Sequence, residues 1–246
     1  MEQNSAYVQL FGELNDFLPK TLKNKPIEVS FHGSPAVKDT IESLNVPHTE
    51  VYKIKVNKET VHFSYRLKDQ EQVEVYPFTL NDQGNLFSQN CFILDVHLGK
   101  LARLLRLMGF DTLYNSSYCD QQIIHIALEH NRTILTRDIG ILKNGKVKSG
   151  YWVRSTNPEM QIKEVQNRFS LCSKAKPFTL CLRCNGTLEK VSKQDIFSLL
   201  DEKTKQYYNE FTRCSVCRKI YWKGSHYTRL TDFLKKVCNQ KIERVT

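Results

Sequence analysis

The sequence lacks two features that would place it in a membrane or outside the cell. It has no apolar run near the ~18 residues that a membrane-spanning helix needs, and no secretory signal begins it. We therefore expect a cytoplasmic protein whose cysteines meet a reducing environment. Hydrophobic residues make up 40% of the 246 residues, which is enough for packed cores and argues against global disorder.

Negative charge is scarce in the second part of the chain. Residues 1–86 carry 9 Lys and Arg against 12 Asp and Glu, whereas residues 87–246 carry 27 against 14. The net charge therefore changes from −3 to +13 between the two parts, with a total of +10. This asymmetry favours a polyanionic partner for the second part. A basic, solvated surface without a partner is the alternative.

Two cysteine pairs lie in the basic part, each with two residues between its members. Four thiolates arranged in this way suit one tetrahedral zinc ion in a closed, structural site. Residues 195–200 predict a helical insert between the pairs, and two disulfides are the alternative explanation. The four paired cysteines are Cys181, Cys184, Cys214 and Cys217. We expect the others to be ordinary thiols: Cys91, Cys119, Cys172 and Cys238.

Residues 1–86 predict a small α+β domain. A helix is indicated at 37–44 by apolar residues at helical spacing. The pattern of two strands, a helix and more strands resembles the ubiquitin-like β-grasp, but no Gly-Gly tail follows, so we interpret it as a docking or scaffold module. A polar cluster at 81–84 predicts a linker. Alternating apolar residues predict strands at 7–11, 27–31, 51–54, 61–63 and 72–76.

Residues 87–172 alternate strands with helices, which implies an α/β domain with a parallel sheet covered by helices. Residues 173–246 then form the zinc ribbon with its helical insert. The predicted strands of the α/β domain are 91–94, 110–114, 133–136 and 150–153, and its helices are 98–108, one that begins at Asp120, and 157–169.

Three aspartates follow or flank the predicted strand ends. Ligands of open α/β sheets gather beyond the carboxyl ends of the strands, where Asp95 and Asp138 lie, and Asp120 begins a helix at the same edge. Converging carboxylates repel unless a cation is bound, and oxygen ligands suit Mg²⁺ or Mn²⁺. The alternatives are helix caps for Asp95 and Asp120, and an ion pair with Arg137 or another neighbouring base for Asp138.

Basic and aromatic residues indicate where a nucleic acid would bind. Lys and Arg contact phosphates without sequence preference, and aromatic faces stack on bases. A solvated helix face is the alternative for the basic residues, and packing in the core of the ribbon is the alternative for Trp222. The candidates are Lys100, Arg103 and Arg106 at every third position, Arg137, and the cluster Trp222, Lys223 and His226.

Residues 95–111, Asp120 and residues 134–138 together resemble the Mut-seven C-terminal RNase domain family. The cysteine motifs and residues 220–227 are similar to the zinc ribbon of that family, and the resemblance covers about residues 91–230. It implies a PIN-like nuclease domain in which Asp95, Asp120 and Asp138 bind Mg²⁺ or Mn²⁺. Ubiquitin-like N-terminal domains accompany bacterial members. Members often have two adjacent acids where this chain has Cys119 and Asp120.

The sequence therefore predicts a metal-dependent ribonuclease with a basic RNA-binding surface. Because only one carboxylate stands at positions 119–120, a non-catalytic RNA-binding protein on a PIN-like scaffold is the first alternative. The second is an interaction adaptor that recruits a protein partner through its acidic N-terminal domain.

Overall fold

The computed structural model describes residues 3–78 and 91–239, and the chain is divided between two units that alternate along the sequence. Unit 1 comprises Met1–Gln89 and Tyr118–Val153, and unit 2 comprises Asn90–Ser117 and Arg154–Thr246. The predicted linker at 81–84 lies outside the described residues. The domain boundaries 1–86, 87–172 and 173–246 remain a prediction.

The strands, in chain order, are β1 (Gln3–Leu10), β2 (Ile27–His32), β3 (Val51–Val56), β4 (Glu59–Val61), β5 (Glu71–Pro77), β6 (Phe92–Leu94), β7 (Thr112–Tyr114), β8 (Thr133–Thr136), β9 (Gly150–Trp152), β10 (Leu188–Val191), β11 (Phe211–Cys214) and β12 (Ile220–Trp222). The α-helices are α1 (Val37–Ser43), α2 (Gly99–Leu107), α3 (Asp120–Glu129), α4 (Ile139–Lys143), α5 (Pro158–Phe169), α6 (Glu202–Tyr207) and α7 (Ser225–Asn239).

The N-terminal part of unit 1 is a five-stranded sheet in the order β2-β1-β5-β3-β4. Strands β1 and β5 are parallel, and the other neighbours are antiparallel. Alternate residues of β1, such as Ala6 and Val8, are fully buried, as are Val37 and Ile41 of α1. They belong to one hydrophobic core, so one face of the sheet is buried. The predicted β-grasp is thereby confirmed.

The second part of unit 1, Tyr118–Val153, packs on this β-grasp part. Strands β8 and β9 are parallel neighbours. The backbone N–H of Trp152 donates to Oε1 of Glu50 at 2.6 Å, and the Trp152 ring lies 4.8 Å from that of Phe17. His48 donates through Nε2 to the carbonyl oxygen of Val147 at 2.8 Å. The β-grasp part therefore supplies buried partners to the strand that ends this unit.

Unit 2 contains the other parallel pair, β6 and β7, together with α2 and α5. The ring of Phe92 lies 6.4 Å from that of Phe110 and 5.4 Å from that of Phe169. On α2, Leu101 and Leu105 are fully buried. The predicted α/β class, with parallel strands and covering helices in the central segment, is confirmed.

The C-terminal part of unit 2 is an antiparallel sheet in the order β10-β11-β12. The predicted insert at 195–200 is a 3-10 helix, Gln194–Leu199, followed by α6. A small core of Ile196, Leu200 and Phe211 supports the insert. Helix α7, which buries Leu234 and Val237, was not predicted from the sequence.

One cysteine prediction is wrong. Cys172, which follows α5, and Cys238, near the end of α7, form a disulfide rather than two ordinary thiols. They are separated by 66 positions, and only the packing of α7 against α5 brings them together, so their spacing along the chain gave no indication. Among the described residues, no helix combines the length and apolar character needed to cross a bilayer.

Candidate functional site

The four paired cysteines converge in unit 2. Their sulfur atoms all lie within 4.8 Å of one another, with 3.5 Å between Cys181 and Cys217 and 3.4 Å between Cys184 and Cys214. A tetrahedral site with Zn–S bonds of ~2.3 Å has sulfurs about 3.8 Å apart, so the donor set fits such an ion. Among the residues that the structure describes, this is the one group of three or more His, Cys, Asp or Glu side chains whose ligand atoms lie so close together.

Tight backbone turns aim the thiols inward. In the first pair, the N–H of Asn185 donates to the carbonyl of Cys181 at 2.9 Å, and that of Cys181 donates to the carbonyl of Gly186 at 2.7 Å. A Cβ at Gly186 would lie 2.9 Å from Sγ of Cys214, so a side chain there would crowd the cluster. In the second pair, the N–H of Cys217 donates to Sγ of Cys214 at 3.4 Å.

The electrostatic environment differs between the thiols. Burial alone would raise the pKa of Cys181, but hydrogen bonds from Tyr221 and from the backbone of Cys184 and Arg183 outweigh it and lower this pKa to about 6. The Tyr221 hydroxyl lies 3.1 Å from Sγ of Cys181. Burial raises the pKa of Cys184 to about 12. Thiolates this close repel one another, so holding all four deprotonated requires a cation.

Arg106 is not on the exposed stripe, and this part of the prediction is wrong. Its side chain is only 4% exposed. Its Nε donates to the carbonyl of Thr112 at 2.9 Å, and its Nη1 donates to those of Leu182 at 3.3 Å and Arg183 at 2.9 Å. Arg106 thus joins α2 to the first cysteine pair, and its buried guanidinium is not accessible to RNA.

Asp95 is 3% exposed, and its Oδ1 accepts from the N–H of His97 at 2.7 Å, at the start of the 3-10 helix Val96–Leu98. Asp138 is exposed, and its Oδ1 accepts from the N–H of Gly140 at 2.7 Å, at the start of α4. Both carboxylates therefore cap short helices. Asp95 belongs to unit 2 and Asp138 to unit 1, and their joint role as metal ligands stays a prediction.

Asp120 is exposed at the first position of α3. The cap of this helix is the preceding Cys119, whose N–H donates to Oε1 of Gln122 at 3.0 Å. Asp120 is thus not the N-cap itself, in contrast to the alternative considered from the sequence. It lies in unit 1, as does the partly buried Arg137.

Five of the six remaining RNA-binding candidates come together within unit 2, and Arg137 of unit 1 is not among them. They line one cleft of about 1680 Å³, whose walls are formed by α2, the β10-β11-β12 sheet and α7. We call it the ribbon cleft. Leu230 and Phe233 also line this cleft but were not identified from the sequence, because α7 was not predicted, although apolar residues from Tyr227 to Val237 recur at helical spacing. The candidates that line it are Lys100, Arg103, Trp222, Lys223 and His226.

Two family models match the chain. The model described as Mut7-C RNAse domain matches residues 90–234, and the model described as Mut7-C ubiquitin matches residues 3–82. The first match includes the four paired cysteines and the three candidate aspartates. No curated protein and no solved structure matches the chain.

Proposed function

Since the chain belongs to the Mut7-C RNAse domain family, we propose that it is a metal-dependent ribonuclease that hydrolyses RNA phosphodiester bonds. The family match over residues 90–234 is the observation that carries this proposal. The excess of positive charge in the same part of the chain supports an RNA substrate, because Lys and Arg contact the phosphates of the backbone.

Asp95, Asp120 and Asp138 are the proposed ligands of a catalytic Mg²⁺ or Mn²⁺. The donor set is carboxylate oxygen throughout, which suits hard divalent ions. When bound, such an ion activates a water and stabilises the charge that develops on the leaving oxygen. The capping bonds at His97 and Gly140 fix Oδ1 of Asp95 and of Asp138, which orients both carboxylates before any ligand binds.

For the cysteine cluster we propose one structural Zn²⁺. Four sulfur ligands form a closed site with no position left for a substrate, so this ion would stabilise the fold rather than react. We further propose that the protein acts in the cytoplasm and that the β-grasp part of unit 1 offers a surface to a protein partner.

The decisive experiment compares cleavage by the Asp95→Asn variant with that by the unaltered protein. Labelled single-stranded RNA is incubated with each protein and Mn²⁺, and the products are separated by gel electrophoresis. We expect cleavage only by the unaltered protein, because an amide is a weaker ligand than a carboxylate, while RNA binding is retained. Asp232→Asn is the matched control, because Asp232 is exposed and its ion pair with Lys235 is on the surface. Equal cleavage by the Asp95→Asn variant would rule out the proposed role.

One observation favours a second function, that of a non-catalytic RNA-binding protein. At positions 119–120 the helix cap is a cysteine, and Asp120 provides the one carboxylate. RNA binding without Mn²⁺-dependent cleavage by the unaltered protein would support this alternative.

A further inference from the structure

The ribbon cleft has a strongly uneven charge. Seven Lys or Arg residues line it against two Glu residues. The cations come from separate elements, since Lys100 and Arg103 lie on α2, Lys190 on β10 and Arg229 on α7. Such a positive lining attracts a polyanion.

Aromatic side chains are as frequent in the ribbon cleft as basic ones. Seven of its lining residues are Phe, Tyr or Trp. Its volume of about 1680 Å³ exceeds the ~300–1,000 Å³ that is typical of small-molecule sites. A cleft that is large, cationic and aromatic is typical of proteins that hold a strand by its phosphates and stack on its bases.

Trp222 is the best placed of these rings to stack on a base. It is 38% exposed, and its ring lies 6.3 Å from that of Tyr208 and 6.5 Å from that of Phe211. A Cβ at Gly224 would lie 3.1 Å from Nε1 of Trp222, so the indole lies close over the following turn. These neighbours restrict the ring in advance, which lowers the entropy lost on binding.

From these features we infer that the ribbon cleft is a binding site for unpaired RNA, with Trp222 as the stacking platform. The choice of RNA rests on the proposed function, but the strand preference does not, because it follows from the aromatic lining. In a duplex the base faces are stacked on one another and hidden, whereas an unpaired strand can place them on aromatic side chains. The ribbon cleft thus selects single strands over duplexes.

The test measures binding without cleavage. The Asp95→Asn protein, loaded with zinc and free of Mg²⁺ and Mn²⁺, is titrated into fluorescently labelled oligouridylate or into a blunt RNA duplex of equal length, and the anisotropy is followed. We expect tighter binding of the single strand. Adding Trp222→Ala should weaken single-strand binding roughly tenfold or more while leaving duplex binding nearly unchanged.

Matched variants separate stacking from folding and from charge. Trp222→Phe keeps a ring and should retain most of the affinity. Tyr207→Ala removes a ring that is 69% exposed and does not line the cleft, so it should leave the affinity unchanged.

The double variant with Lys100→Gln and Arg103→Gln tests the contribution of charge. It should weaken binding of both RNAs and lower by about two the slope of log affinity against log salt concentration. Lys203→Gln, an exposed control that does not line the cleft, should change neither.

The outcomes distinguish this inference from the proposed function. Equal affinity for single strand and duplex, or unchanged single-strand affinity in the folded Trp222→Ala variant, would overturn the inference. If Trp222→Ala does not fold, the Lys100 and Arg103 pair decides, because both residues are exposed, and unchanged affinity there overturns the inference as well. Strand-selective binding by a protein that never cleaves RNA would leave the inference standing and refute the ribonuclease proposal.

Discussion

Arg106 of α2 donates through Nη1 to the carbonyl oxygen of Arg183 at 2.9 Å, inside the first cysteine pair. Arg183 lies between Cys181 and Cys184, so the backbone that presents both thiols is fixed to α2 by this guanidinium. Asn185 adds a second link, since its Oδ1 accepts from the N–H of Thr112 at 2.9 Å and its Nδ2 donates to Asp111 at 2.6 Å. The cysteine cluster and the α/β part of unit 2 are therefore one packed structure.

We expect Arg106→Met to lower the free energy of unfolding by about 2–4 kcal/mol. The substitution leaves the carbonyls of Thr112, Leu182 and Arg183 without their charged donor, and hydrogen bonds to charged groups are among the stronger ones. Urea unfolding in the presence of zinc measures the change. Arg103→Met, on the exposed side of the same helix, should change stability by no more than about 0.5 kcal/mol. Equal effects of the two substitutions would contradict the role given to Arg106.

Elemental analysis should find one zinc per chain, and Cys184→Ser should lose most of it. A serine hydroxyl does not replace a thiolate as a ligand of a four-sulfur site. Cys119→Ser is the matched control, because Cys119 is exposed and caps α3, and it should keep its zinc. A metal-free protein from cells grown with zinc would refute the assignment.

Reduction of the Cys172–Cys238 disulfide should destabilise unit 2. The disulfide closes a loop of 66 positions, and by the chain-entropy argument its reduction lowers the free energy of unfolding by at most about 4 kcal/mol. The decrease is smaller if a bound metal already constrains part of the same loop in the unfolded chain. Thermal unfolding with and without a phosphine reductant, in zinc-containing buffer, measures the difference. The Cys172→Ser variant should be insensitive to the reductant. Identical unfolding temperatures for the unaltered protein in both buffers would show that the bond contributes no stability.

Glu210→Gln should tighten RNA binding in the ribbon cleft roughly two- to fivefold. Lys223 donates to Oε2 of Glu210 at 2.8 Å, and this hydrogen bond lowers the pKa of Glu210 and raises that of Lys223. Both side chains are exposed, so an RNA phosphate competes with the carboxylate for the ammonium. Salt titrations of affinity for oligouridylate test this.

Glu202→Gln is the control for that experiment. Its carboxylate pairs with Lys205 at 2.6 Å but does not line the cleft, so its removal should leave RNA affinity unchanged. An equal gain from both substitutions would indicate a general effect of net charge rather than competition at Lys223.

Local sequence patterns predicted the elements whose boundaries depend on neighbouring residues. Asn157 and Pro158 indicated the start of α5, and in the structure Oδ1 of Asn157 accepts from the N–H groups of Glu159 and Met160. Strand β8 was predicted from its apolar run and lies at 133–136. These boundaries are set by capping and burial within a few residues of the chain.

Features that depend on distant packing were missed. Three residues advance an α-helix by about 300°, so Arg106 lies about 120° around α2 from Lys100. Residues at every third position therefore do not stay on one face of the helix, and Arg106 lies on the buried face although Lys100 lies on the exposed one. Cys172 and Cys238 required the fold of α7 before they could meet. For the aspartates, a helix cap at Asp95 was one of the alternatives from the sequence and is observed, whereas the cap at Asp138 was not among them.

The contacts of Trp152 bear on how this chain can be divided for experiments. A fragment that begins at residue 87 would keep β9 but lose Glu50, whose carboxylate accepts the Trp152 N–H, and Phe17, against which the indole packs. The nuclease-family segment would then expose a hydrophobic ring and a bare strand edge to water. Truncation at the family border removes part of the interior, so loss of activity in such a fragment would say nothing about recruitment by the ubiquitin-like part.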